Sequence, residues 1–349
     1  MLVCVTGGTG FVGSHSVAAI VHAGHRVRML TRAKTSVGPA LDPLGVDRAM
    51  VDVIVGDITD SAAVADAVRG ADTVLHAAAI YSFDSRRRAE IRRTNVLGTE
   101  TVLAAAHLAG ASPIVHVSTF GAMLPARGGL LRTDSPVGRP REPYLASKAA
   151  AERVARRYQE QGAPVVIAYP PGLLGPHDPH LGDQNSRLRD LLRGLMPVWP
   201  LGGFPVGDVR DTAALLAALL TAPTGGPNRY FTPGRYLTTR EYVRAARAVT
   251  GRALPAIFLP ARPMLPLGRL VGMVQRVWPW HIPAEYGAIY TCAHASRIDT
   301  GATEIPTRPV EDTMADTVRW LVDVGRLSAH NAGSVDGMTV TEPDGIQIR

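Results

Sequence analysis

The chain has 349 residues, 46% of them hydrophobic, enough to bury a sizeable core as one large α/β unit with a smaller lobe. Its formal charge is +7, but the arginines are scattered and no DNA- or RNA-binding motif appears, so nucleic acid is not an expected partner. Cys4 and Cys292 supply neither a disulfide framework nor metal-ligand spacing. The N-terminus enters an apolar strand rather than a signal peptide, and no apolar run reaches spanning length, so the expectation is a cytoplasmic protein with no metal and no transmembrane segment.

Taken in chain order, "LVCVTGGTGFVGSHSVAAIV" predicts a buried strand over 2–6, a glycine turn and a helix. Gly7, Gly10 and Gly13 are spaced so that the backbone turns tightly, approaches a pyrophosphate and packs helix on strand, with the helix amides facing the anion. A glycine turn without a ligand is the bland alternative, and the strand-turn-helix context argues against it. Further strands are expected near 26–31, 51–55, 73–76, 113–117 and 164–169, alternating with helices such as 61–69, 95–109 and 144–161. That alternation predicts a doubly wound parallel sheet. After Tyr169 the pattern breaks into "PPGLLGPHDPHLGDQN", which marks the substrate side.

The expected organisation is a dinucleotide-binding domain over 1–175, joined by a returning strand near 228–232, and a discontinuous, mainly substrate-binding lobe over 176–327. Residues 328–349 are polar and aperiodic and read as a disordered tail. Within the lobe, 262–280 predicts an amphipathic helix with Leu267, Leu270, Val271, Val274 and Trp278 on one face and Arg269 and Arg276 off it. Packing over the lobe is its expected role, with peripheral membrane contact the alternative. Arg86, Arg87, Arg88, Arg92 and Arg93 read as a solvated helix face, with attraction of an anionic substrate or partner to the pocket mouth the alternative.

Only two lysines occur, and one, Lys148, closes "YLASK" four residues after Tyr144. In an arginine-rich chain this marks a place where a compact ammonium is not replaceable by a guanidinium fork. "TGGTGFVG", Asp57, "HAAA" at 76–79, Asn95 in "RTNVLGT", Thr119 in "HVSTFGA", and Tyr144 with Lys148 follow one another in the order and spacing of a known family. With "GP" at 175–176, "DVRD" at 208–211 and "PVEDTMADTVRWL", they make residues 1–325 resemble an extended short-chain dehydrogenase/reductase of the epimerase/dehydratase superfamily. The nearest branches are those of dihydroflavonol reductases and hydroxysteroid dehydrogenases.

The resemblance implies a Rossmann fold and names the site. Tyr144 would be the general acid/base, and Lys148 would lower the phenol pKa and bind the nicotinamide ribose. Thr119, rather than its neighbour Ser118, would hold the substrate oxygen, and Asn95 would support a relay behind Lys148. The cofactor would meet Gly7, Gly10, Phe11, Val12 and Gly13, then Asp57 and Ile58, Ala77, Ala78 and Ala79, and Pro171, besides Tyr144 and Lys148. Tyr81, Phe83, Met123, Gly172 and Leu173, with Trp199 and Phe204, would line the substrate pocket.

Where NAD-preferring enzymes of this fold place an acid after the second strand, this chain has Thr31, Arg32 and Lys34. Arg32 and Lys34 favour NADP(H), with NAD(H) the alternative. Tyr169 and Gly172 stand where many nucleotide-sugar enzymes of the family carry Arg and Asn, which disfavours a nucleotide-sugar substrate. The expected activity is therefore hydride transfer between a nicotinamide and an apolar ketone, aldehyde or alcohol. The alternatives are an epimerase or dehydratase with retained cofactor and a non-catalytic nucleotide sensor, and homodimer assembly is left open.

Overall fold

Strands rich in Val and Ile bury both faces when helices cover the sheet on either side, and that is the frame of this chain. The computed structural model describes residues 1–82, 85–126, 129–222, 225–274, 286–300 and 306–335. Seven strands form the central sheet: β1 (Leu2–Thr6), β2 (Arg26–Thr31), β3 (Val51–Val55), β4 (Thr73–His76), β5 (Ile114–Val117), β6 (Val165–Tyr169) and β7 (Arg229–Phe231). All pair in parallel, in the order β7-β6-β5-β4-β1-β2-β3. This is the Rossmann-like sheet expected. The order reverses between β1 and β4, which opens a crevice at their carboxyl ends.

Alternation along β1 divides the core. Val3 and Val5 face one apolar layer with helices Phe11–His22 and Val209–Leu219. Cys4 faces the other, with helices Ser61–Val68, Arg88–Leu108 and Pro143–Glu160. Helix Arg88–Leu108 starts a full turn or more before the expected position 95, so it absorbs part of the arginine cluster, whose Arg88, Arg92 and Arg93 are exposed or partly so.

Beyond β6 the chain builds smaller pieces over the crevice: a three-stranded sheet of Gly172–Leu174, Gly203–Asp208 and Arg235–Thr238, and a ribbon of Val198–Leu201 with Ile257–Pro260. Helix Ala261–Val274 follows and packs on Tyr286–His294. A Cβ at Gly268 would sit 3.0 Å from Ile289 Cδ1, so the glycine permits a close approach of the two helices. Leu270, expected on the packed stripe, is half-exposed. Arg276 and Trp278, and the side chains of Leu267, Arg269, Val271 and Val274, lie outside what is described. No helix among the described residues is long and apolar enough to cross a membrane.

The expected tail is folded at its start. Ser328 caps a short helix, Ala329–Ala332, and Ala332 and Val335 are buried, because two apolar side chains in this polar stretch find the core surface. Residues 336–349 lie outside the described residues.

The "DVRD" motif ties the last helix to the body. Asp208 caps helix Val209–Leu219 through Arg210 N (2.7 Å), and accepts from Thr313 Oγ1 of helix Val310–Asp323 (2.8 Å). The Arg210 guanidinium bridges Asp208 (2.7 Å) and Asp316 (2.8 Å), while Arg308 pairs with Asp211. Removing one partner of a buried pair leaves the other charge uncompensated. Arg210→Ala should therefore destabilise the fold by about 3 kcal/mol, read as a lower calorimetric midpoint; an unchanged midpoint would show that the pair contributes nothing net.

Candidate active site

The site begins where β1 turns into the first helix. Gly7 has φ +79°, and a Cβ there would lie 2.5 Å from Ala78 N, so the turn nests against the end of β4. A Cβ at Gly13 would collide with the Gly7 carbonyl. At Gly10 it would meet only Gly7 O, at 3.4 Å, and would otherwise project into open space. The backbone thus offers a cradle that side chains would fill, with Gly10, Phe11, Val12 and Gly13 bringing the helix N-terminus to the wall of a cavity of about 630 Å³. These residues fit a dinucleotide pyrophosphate.

The opposite wall is the start of helix Pro143–Glu160. Pro143 occupies the first helical position, and the Glu142 carboxylate accepts from Tyr144 N (3.0 Å) and Leu145 N (2.7 Å). The cap places Tyr144 in the first turn and Lys148 one turn on, along the same face. Tyr144 meets Tyr81 edge-on, with ring centroids 4.7 Å apart. Lys148 Nζ donates to Val117 O at 2.8 Å.

Burial pushes the Lys148 ammonium down to about 8, with the Glu152 carboxylate working the other way. Burial, and after it the carboxylates of Glu142 and Asp183, push the Tyr144 phenol well above its ordinary value. The upward direction follows from burial first and the two acids after it, while the ammonium donates to Val117 O.

Ala77, Ala79, Tyr81, Pro171, Gly172 and Leu173 also line the cavity, as do Ser118 and Thr119. Thr119 Oγ1 caps the short turn Phe120–Met123, accepting from Gly121 N at 3.2 Å, whereas Ser118 Oγ is buried without a hydrogen-bond partner. Asn95 lies behind the cavity. Its amide accepts from Ile80 N (2.7 Å) and donates to Ile80 O (3.1 Å) and Ser147 Oγ (2.9 Å), fastening the chain after β4 to the Tyr144 helix.

Other expected residues fall elsewhere. Ala78 packs behind Gly7 instead of lining the cavity. Met123 is core at 2% exposure, because the turn it ends points it into the apolar layer. Phe83 lies outside the described residues. Arg32, Lys34, Asp57 and Ile58 sit beyond the cavity, past the ends of β2 and β3; Arg32 and Lys34 are exposed, and Ile58 packs on Gly98. Partial burial tends to raise the Asp57 carboxyl, yet hydrogen bonds from Thr59 and the charges of Arg32 and Arg93 hold it below its usual range.

Some lining residues were not singled out from sequence. Asp178, Asp183, Gln184, Asn185 and Arg187 come from the broken stretch and helix Asp183–Leu192, and only the break itself signalled them. Met264, Ile289, Thr291 and Cys292 reach the cavity from distant helices, and nothing in their local sequence marks them.

Residues 3–231 match the model of the NAD dependent epimerase/dehydratase family. The chain belongs to this family. Sterol demethylase protein B of Methylococcus capsulatus is 28% identical over 94% of this chain and 100% of that protein. A putative dihydroflavonol 4-reductase of Synechocystis is 30% identical over 92% of this chain and 94% of that one. Ketoreductases and a 3-beta-hydroxysteroid dehydrogenase are also among its relatives. The dTDP-glucose 4,6-dehydratase DesIV of Streptomyces venezuelae, a structure with NAD bound, superposes with a TM-score of 0.71 at 25% identity, covering 95% of this chain and 100% of that one. As a member of the epimerase/dehydratase family, the chain is an NAD(P)-dependent enzyme of the extended short-chain dehydrogenase/reductase type.

The charge on Lys148 is present below its pKa and lost above it. If Lys148 holds the nucleotide as the resemblance implies, affinity should fall as pH rises through about 8, and Glu152→Gln, which removes the opposing carboxylate, should shift the fall to lower pH. Fluorescence titration of the nicotinamide across pH checks this, and a flat profile in both proteins would contradict it.

Proposed function

We propose that the chain interconverts an apolar ketone or aldehyde and its alcohol using NADP(H). The observation that carries this reading is the shared cavity. Tyr144, Lys148 and Thr119 face a space whose remaining walls include Leu173, Trp199, Phe204, Met264 and Ile289.

A bound nicotinamide would deliver a hydride to the carbonyl carbon, or take one from the alcohol. The Tyr144 phenol gives its proton to the carbonyl oxygen as negative charge builds there, and takes it back in the reverse direction. The Thr119 hydroxyl hydrogen-bonds the same oxygen. Lys148 holds the nicotinamide ribose, and Asn95 positions the Tyr144 helix through Ser147. Tyr169 supports an apolar over a nucleotide-sugar substrate: its hydroxyl donates to Glu152 at 2.6 Å and is turned into the body of the protein.

Arg32 favours NADP(H). It is exposed past the end of β2, and its charge acts on Asp57, so a ribose 2′-phosphate would meet a cation there. A charge-assisted hydrogen bond contributes about 1.5–3 kcal/mol. Arg32→Ala should accordingly weaken NADPH relative to NADH roughly tenfold or more, measured as paired dissociation constants. If wild type already binds NADH more tightly, the preference is wrong.

Removing only the proton donor tests the chemistry. Tyr144→Phe should lower turnover on an apolar ketone by about 10²–10⁴-fold while nucleotide affinity stays near wild type. A variant with near-normal turnover, under conditions where chemistry limits the rate, would remove Tyr144 from its proposed role.

A further inference from the structure

The ribbon over the cavity has an apolar outer face. Its parallel register sets Val198 beside Ile257 and Pro200 beside Leu259. Alternation sends Trp199 inward, leaving Val198, Ile257 and Leu259 outside at 42%, 61% and 43% exposure. A ribbon that only roofed a cavity would carry polar side chains on its solvent side. Here there are none. Leu195, just before the ribbon, is half-exposed as well.

The same elements line the cavity. Met196 and Val198 enter it from the first strand and its approach, and Met264 from the following helix. Val198 is at once exposed and cavity-lining, so the apolar outside and the apolar inside meet at that residue.

The surroundings are cationic. Arg240 and Arg262 are exposed beside the ribbon, and the Arg240 guanidinium lies 4.6 Å over the Phe258 ring. Of the acids near in sequence, Asp190 is paired with Arg189 at 2.8 Å and Arg193 at 4.0 Å, and Glu241 accepts from the Thr238 cap. An apolar face rimmed by arginines suits a membrane surface that carries negative headgroups.

We propose that the ribbon seats on an anionic phospholipid surface and admits a lipophilic substrate past Val198. The docking face stands on the ribbon alone, while the substrate route rests on the carbonyl-reductase reading above.

The test is co-sedimentation of the full chain with vesicles of phosphatidylcholine alone or of equal parts phosphatidylcholine and phosphatidylglycerol. Wild type should sediment with the anionic vesicles and much less with the neutral ones. Ile257→Glu with Leu259→Glu should reduce binding at least tenfold while leaving reduction of a water-soluble ketone intact. Arg240→Gln and Arg262→Gln should each reduce binding to anionic vesicles about fivefold, the equivalent of ~1 kcal/mol per charge. Wild type left in the supernatant with both vesicles overturns the proposal, as does undiminished binding by the glutamate variant. A dimer in light scattering that the same variant dissociates also overturns it, because the face is then covered by a second copy. Vesicle binding by a chain that reduces no carbonyl would sink the substrate route and keep the docking face.

Discussion

A charged ammonium held inside the protein is the constraint to which the rest of the site answers. Lys148 is 5% exposed, and an isolated charge at such a place would lose its proton or unfold its surroundings. Val117 O takes one of its hydrogens, and Glu152, one turn along the helix, supplies the opposing charge. Glu152 is itself fully buried and is steadied by Arg156 at 2.8 Å and the Tyr169 hydroxyl at 2.6 Å. Behind Lys148, His76 stacks on His116 with centroids 5.3 Å apart. Burial first, and the Lys148 charge after it, keep His76 neutral, pushed down to about 3; burial, then His76 and then Lys148 hold His116 well below its usual value. Neither imidazole therefore adds a positive charge beside the ammonium.

The hydrogen bonds around His76 settle its form. Thr99 Oγ1 donates to Asn95 O at 2.7 Å, so at the His76 contact of 3.1 Å it must accept, and Nε2 carries the proton. Nδ1 is then the acceptor for the Thr6 hydroxyl at 2.8 Å. One neutral tautomer thus links the end of β1, the end of β4 and the helix of Asn95, the three elements that meet at the crevice. The Gly7 turn and the Tyr144 helix are held in register by polar contacts that the cavity itself never touches.

Much of this was legible because it follows from local rules. β-Branched runs bounded by turns become buried strands, glycines at fixed spacing become a close turn, and Tyr144 and Lys148 one helical turn apart must share a face. What was hidden depends on which face of an element meets which neighbour. Met123 and Met264 look alike in sequence, yet a turn carries the first into the core and a helix brings the second to the cavity. Leu270 belongs to an apolar stripe in sequence yet is half-exposed, while the neighbouring Gly268 makes the close approach to Ile289. The direction of the Tyr144 shift was hidden for a similar reason. Lys148 is four residues away and conspicuous, whereas Asp183 is remote in sequence and the extent of burial has no local signature.

That shift bears on direction. A phenol kept protonated by burial and two carboxylates is ready to donate to a developing alkoxide at neutral pH, which is what carbonyl reduction requires of it. Alcohol oxidation requires the phenolate, and raising the pH to obtain it removes the charge on Lys148 first, since that ammonium titrates at about 8 and the phenol well above its ordinary value. The two titrations therefore oppose each other in the oxidative direction and cooperate in the reductive one.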